Sequence, residues 1–100
     1  MKQGIFYQYV ERITDLFQIK SEDLFSKNKR RDLVDARHLL YYLCTVRHIP
    51  LSIARKYMAD NGYIIPHQSI AHGIKQVKRK LEEDKDYVTI VKDIDNAVFI

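Results

Sequence analysis

Residues 66–81 have the sequence PHQSIAHGIKQVKRKL, and its spacing predicts a two-sided helix. Intervals of three and four residues place apolar side chains on one face and polar or cationic side chains on the other. The apolar face holds Ile70, Ile74, Val77 and Leu81, and the opposite face holds Gln68, His72, Lys75 and Arg79. The second set combines cations that bind phosphate with groups that hydrogen-bond to base edges, as a helix in a DNA major groove requires. One face is therefore expected to pack and the other to reach a nucleic acid.

The rest of the chain predicts further helices around this one, and hence a compact all-α bundle. Between residues 32 and 47, apolar side chains cover most of the helical circumference, which is typical of a central core helix. Pro50 and Pro66 are each expected at the start of a helix, and Asn61-Gly62 predicts a left-handed helix end between them. The predicted helices are residues 4–18 within a leading segment 1–20, a short turn 21–25, then 32–47, 50–60, 66–81 and 84–98, the last capped by Asp84 or Asp86.

The segment 50–81 combines a helix, a glycine-containing turn and a polar-faced helix, which is the pattern of a helix-turn-helix. Many helical hairpins share this pattern. The length and the 46% hydrophobic content favour a single domain, residues 1–100, with a core that needs no disulfide or metal. Cys44 is the only cysteine, which suits a reducing compartment. No apolar run approaches a membrane span and no signal-peptide core is present, so a cytoplasmic protein is expected.

Charge is distributed unevenly along the chain. Residues 1–80 carry 15 Lys/Arg against 7 Asp/Glu, whereas residues 81–100 carry 2 against 6. This asymmetry favours a polyanionic partner, with the acidic tail turned away from it. The densest cationic cluster is a predicted loop with four cations in five positions: Lys27, Lys29, Arg30 and Arg31.

Such a cluster is commonly a solvated charge run, but a second one on the outward helix (Lys75, Lys78, Arg79, Lys80) favours phosphate contacts here. Arg37, near the start of the central helix, either reaches DNA or pairs with Asp35 or another carboxylate. The pattern favours neither alternative.

Two segments, SKNKRRDLVDARHLLYYL (26–43) and HQSIAHGIKQVKRKLEED (67–84), resemble the C-terminal DNA-binding domain of the bacterial replication initiator DnaA. That family has a basic Ser-Lys-rich loop, an Ala-Arg-Gln-like helix segment, and a signature close to Gly-Gly-Arg-Asp-His-Thr-Thr-Val. The resemblance extends from Val10 to about Asp86. It implies a Trp-repressor-like all-α fold that contains a helix-turn-helix and binds double-stranded DNA.

The resemblance also implies roles for individual residues. Lys29 occupies the place of a loop arginine that enters the minor groove, and Arg31 that of a nearby basic contact. Arg37 matches a helix arginine that contacts guanine, and His38 stands where the family usually has glutamine.

In the signature, His67 matches the histidine, Gln68 and Ser69 stand for the two threonines, and His72 matches a later histidine. The chain departs from the signature at Ile65, which replaces its arginine, and at Pro66, which replaces its aspartate. These departures bear on which DNA sequence is preferred.

Catalytic and metal sites are not predicted. His67 and His72 are five residues apart, off the four-residue spacing that places two ligands on one helical face, and the sequence has no thiolate cluster. No Ser/His/acid or paired-carboxylate arrangement stands out. A Gly-rich phosphate loop is also absent from the sequence. No enzymatic activity and no cofactor or metal are therefore expected.

Two hypotheses follow. The first is a DNA-binding module with helix 66–81 in the major groove and loop 27–31 on the minor groove or backbone. It would regulate replication or transcription at DnaA-like sites, with a phage or mobile element as the expected source. Because one such helix covers few base pairs, tight specificity would require a homodimer, neighbouring sites or the minor-groove loop. The alternative is a protein-interaction module that retains the fold and binds an acidic protein.

Overall fold

The computed structural model describes residues 1–99, and this part of the chain folds as an all-α bundle of six helices, as predicted. Every predicted helix is present, and the boundaries differ by three residues or fewer. Within the described residues, none of the helices is both long and apolar enough to cross a membrane. The helices are α1 (Lys2–Phe17), α2 (Ser21–Leu24), α3 (Arg31–Val46), α4 (Leu51–Asp60), α5 (His67–Glu83) and α6 (Lys85–Asn96).

The centre of the bundle is α3, which packs against α1, α2, α4 and α5. Most of its apolar side chains are removed from solvent because these neighbours surround it, so the predicted core helix is confirmed. Val46, at its C-terminal end, is 38% exposed. Burial raises the pKa of the Cys44 thiol to about 12, which keeps it a small apolar core residue rather than a reactive thiolate. The fully buried core residues of α3 are Leu33, Ala36, Leu39, Leu40, Leu43 and Cys44.

The helix ends show where local sequence rules apply and where they do not. Gly62 has φ +85°, so the predicted left-handed end of α4 is confirmed. The Asp84 carboxylate accepts hydrogen bonds from the backbone N–H groups of Asp86 and Tyr87, and it therefore caps α6 as predicted. Pro50 and Pro66 differ from the prediction because each immediately precedes its helix instead of occupying the first helical position.

Three helices end at other residues than the sequence predicts. The leading helix ends at Phe17, because Gln18 adopts a left-handed conformation with φ 55°. The outward helix continues beyond Leu81 to Glu83, where the chain turns directly into α6. The last helix ends at Asn96, and Val98 packs into the core just beyond it.

Candidate functional site

The outward face of α5 is formed by Gln68, His72, Lys75 and Arg79, and all four residues are exposed. The opposite face is held against the core, with Ile70 and Val77 fully buried and Ile74 8% exposed. Burial of this apolar stripe fixes the rotation of α5 about its own axis, so the polar stripe must point to solvent. The predicted division of this helix into two faces is confirmed.

The structure corrects the prediction that Arg37 contacts DNA or a carboxylate. Its side chain is 3% exposed, and its guanidinium faces the turn between α2 and α3. Nε donates to Leu24 O (2.7 Å), Nη1 to Asn28 O (2.9 Å), and Nη2 to Ser26 O (2.6 Å) and Asp23 O (3.1 Å). A planar group with five N–H donors suits carbonyls that converge from a curved backbone. Arg37 therefore holds this turn in place from inside the protein.

The basic loop, residues 27–31, lies directly on the backbone that Arg37 holds. Ser26 Oγ and Asn28 Oδ1 accept hydrogen bonds from the backbone N–H groups of Asn28 and Arg30, which stiffen the loop further. Arg31, predicted in the loop, is the first residue of α3. The backbone that carries the cations of this loop is therefore held by hydrogen bonds.

These cations have different surroundings. Lys27 Nζ donates to Ile64 O (2.6 Å) and lies 4.4 Å from the centre of the Tyr63 ring, so it ties the loop to the segment before α5. Arg30 pairs with Asp32 at 2.7 Å, and the exposed Arg31 lies 3.5 Å from Asp35.

The side chains of Lys29, Lys75 and Arg79 form no hydrogen bond or ion pair with any other residue between Met1 and Phe99. All three are therefore available to an anionic partner.

Two adjoining clefts show that the basic loop and α5 share one surface. Lys29, His38 and His72 line both. The first cleft continues to Gln68 and Ser69 in the first turn of α5, and the second reaches Arg31 and Arg79. We refer to this surface, together with Lys75 and the exposed His67, as the cationic face.

The acidic tail is not wholly turned away from the cationic face. Glu82, in the last turn of α5, lines a shallow groove with Lys75 and Arg79. Glu82 therefore bounds the face at the C-terminal end of α5, whereas the basic loop and the start of α5 bound the other end.

His38 and His72 meet at the centre of the cationic face. Their rings are edge to face, with centroids 5.9 Å apart. Gly73 makes this approach of α5 to α3 possible, because a Cβ at that position would lie 2.7 Å from His38 Cδ2. Partial burial, and then the neighbouring His72, lower the pKa of His38 below its ordinary value.

Sequence reasoning missed the contributions of Gly73 and Tyr63. A glycine inside a helical pattern is a signal of close approach, and that signal was present at Gly73. Tyr63 lies beneath both Lys27 and Arg37, with its ring centre 5.0 Å from the Arg37 guanidinium carbon. No local pattern marks that role. Within residues 1–99, no group of three or more His, Cys, Asp or Glu side chains is arranged to hold a metal ion.

Comparison with known proteins gives one informative match. The chain is similar to a chromosomal replication initiator protein. That relative is DnaA of Nautilia profundicola, which is 28% identical over 98 residues; the match covers 91% of this chain and 20% of DnaA. The chain thus spans about a fifth of the length of the curated relative that it matches. No family model and no solved structure match the chain.

Proposed function

We propose that this chain is a DnaA-like module that binds double-stranded DNA and has no enzymatic activity. In this proposal α4, residues 61–66 and α5 form a helix-turn-helix, with α5 in the major groove and the basic loop on the minor groove or backbone. The observation that carries it is the continuity of the cationic face, where Lys29 and the polar side chains of α5 line the same clefts. The similarity to DnaA supports this partner.

The contacts on the cationic face divide into two chemical kinds. Lys29, Lys75 and Arg79 are suited to phosphates, because they are exposed and carry no protein ion pair within the described chain. Gln68 and Ser69 lie in the first turn of α5, where side chains of a helix in the major groove contact base edges. The Gln68 amide both donates and accepts hydrogen bonds, so it is suited to an adenine edge.

The biological role in this proposal is occupation of DnaA-like sites in a cytoplasmic compartment, with an effect on replication or transcription. No ATPase activity is required, since site occupation alone blocks or recruits other proteins. In this proposal residues 1–100 form a single domain. A homodimer or neighbouring sites extend the number of base pairs that are contacted.

The decisive experiment is a fluorescence-anisotropy titration with two duplexes, one carrying the DnaA initiator box and one scrambled, over a salt series. We expect binding to both at low salt and a steep loss of affinity as salt rises, because neutralised phosphates release counterions. No binding to either duplex at low salt would refute DNA binding. That outcome would instead favour an acidic protein partner for the cationic face.

Replacing Lys29 or Lys75 with glutamine should weaken binding to every duplex. Each change removes about one phosphate contact, so the slope of log affinity against log salt should flatten by about 0.9. Lys92→Gln is the matched control, because Lys92 is an exposed lysine on α6 that lines neither cleft. Equal slopes for all three variants and the wild type would contradict this assignment of phosphate contacts.

Gln68→Ala should relax sequence preference instead of weakening all binding. Loss of a side chain that contacts one base should reduce discrimination at one base pair by about 1–3 kcal/mol. The measurement is competition among duplexes that differ by single base pairs from the best site selected from a random pool. If Gln68→Ala and Lys75→Gln reduce affinity for all these duplexes alike, direct recognition by Gln68 is wrong.

A further inference from the structure

The cleft between the basic loop and the start of α5 has the composition of an anion site. Its volume is about 330 Å³, which is large enough for a phosphate group. Among its described lining residues no Asp or Glu occurs, whereas Lys29, His38, Gln68, Ser69 and His72 all carry hydrogen-bond donors. Arg37 and Tyr63 also line the cleft, and Arg37 holds the loop backbone beside it.

We propose that His38, His72 and Lys29 form the site for one backbone phosphate of bound DNA, and that this phosphate binds together with a proton taken up by the histidine pair. This inference rests on the proposed function, because the phosphate belongs to the duplex on the cationic face. It adds that DNA affinity depends on pH. Neither the similarity to DnaA nor the general chemistry of a helix-turn-helix requires that dependence.

The charges around His38 explain why a proton is needed. On α3 it faces the Asp35 carboxylate and the Arg37 guanidinium, and on α5 it faces His72 and the Lys80 ammonium. Lys29 of the basic loop lines the same cleft. Of these groups, only Asp35 favours the charged form of the His38 ring. Its carboxylate is already shared by Lys80 at 3.2 Å and Arg31 at 3.5 Å. In the free protein the His38 ring is therefore held in its neutral form near pH 7.

A phosphate in the cleft reverses this balance. A phosphodiester carries a full negative charge and accepts hydrogen bonds but donates none, so it favours imidazolium over imidazole in the His38 ring. Folding lowers the pKa of His38 and the phosphate raises it again. The bound state therefore holds more protons than the free state, and affinity must rise as pH falls through the range in which histidine titrates.

The test is the affinity for the initiator-box duplex between about pH 7.5 and about pH 5.5 at constant salt, the range that spans the ordinary histidine pKa. Wild-type protein should bind about five- to tenfold more tightly at the acidic end, which corresponds to an average uptake of about 0.35–0.5 proton over these two pH units. His38→Gln and His72→Gln keep a hydrogen-bond donor but cannot be protonated, so each should flatten the pH dependence. His48→Asn should retain it. His48 is exposed at the other end of α3 and has φ 58°, which asparagine tolerates.

A second measurement needs only the wild-type protein. The ring protons of the four histidines can be titrated by NMR with and without the duplex, and the pKa of His38 should rise when DNA binds. Absence of DNA binding at every pH would overturn the proposed function itself. Binding that is independent of pH, an unchanged His38 titration, or an undiminished pH dependence in both glutamine variants would overturn the phosphate site and leave DNA binding intact.

Discussion

Replacing Arg37 with alanine should lower the free energy of unfolding by about 3 kcal/mol, because the substitution removes four hydrogen bonds that the buried Arg37 side chain donates to backbone carbonyl oxygens. Hydrogen bonds from a charged donor are worth more than neutral ones, and water entering the vacated space replaces them only in part. For a chain of this length, the loss corresponds to a decrease of about 15 °C in Tm. Thermal and urea unfolding followed by circular dichroism would measure it.

The matched control is Arg31→Ala, on the same helix. The Arg31 side chain is 86% exposed and makes only a long ion pair, so its removal should change stability by less than about 0.5 kcal/mol. Arg37→Lys keeps the charge but not the planar set of donors, and it should recover less than half of the lost stability. Equal effects of Arg37→Ala and Arg31→Ala would mean that the guanidinium does not hold the turn.

Arg37→Lys also separates a positioning role from a direct one. Because Arg37 is buried, it neutralises no phosphate, yet the loop that presents Lys29 depends on it. Arg37→Lys should therefore weaken DNA binding while leaving the salt slope unchanged. Lys29→Gln should instead flatten that slope. A flattened slope in Arg37→Lys would show that the guanidinium reaches the DNA after all.

The sequence was sufficient to predict α5 because two independent signals agree there. Apolar residues recur at helical spacing, and every residue between them is polar, small or charged, so only one rotation buries the stripe. The same logic is less reliable for α1, where helical spacing places Leu16 on one packing face with Ile5, Tyr9 and Ile13, although Leu16 is 47% exposed. A helix at the edge of a small bundle buries a narrower stripe than its apolar pattern offers, and sequence spacing does not record that width.

The positions of Arg37 and of the histidine pair could not be predicted, for a different reason. The partners of Arg37 are backbone carbonyls of residues 23–28, and every residue carries such a group whatever its side chain. His38 and His72 are 34 residues apart in the sequence, and they meet only because α3 and α5 approach closely at Gly73. Both arrangements depend on the path of the backbone through space, which periodicity does not encode.

Asp95→Ala should be the second strongly destabilising change, at about 2 kcal/mol, because Asp95 joins three elements of the bundle. Its Oδ1 accepts from the buried Tyr9 hydroxyl of α1 at 2.6 Å and from Arg47 Nε, just after α3, at 2.9 Å. Burial and the hydrogen bond to Asp95 raise the pKa of Tyr9, so the phenol remains a donor throughout the physiological range. Alanine would leave that donor without an acceptor in the core, and it would remove the side-chain partner of Arg47. Chemical unfolding monitored by circular dichroism would measure the change.

Asp93→Ala provides the control, since Asp93 is an exposed residue of the same helix without a side-chain partner among residues 1–99 and should change stability by less than about 0.5 kcal/mol. Asp95→Asn retains an acceptor for Tyr9 but loses the negative charge opposite Arg47, so its effect should lie between the two.

Neither Asp95 nor Arg47 lines the clefts of the cationic face. Asp95→Ala that is still folded at low temperature should therefore bind DNA with wild-type affinity and an unchanged salt slope. A parallel loss of stability and affinity would show that α6 and the cationic face are coupled, and that α5 is not positioned by the core alone.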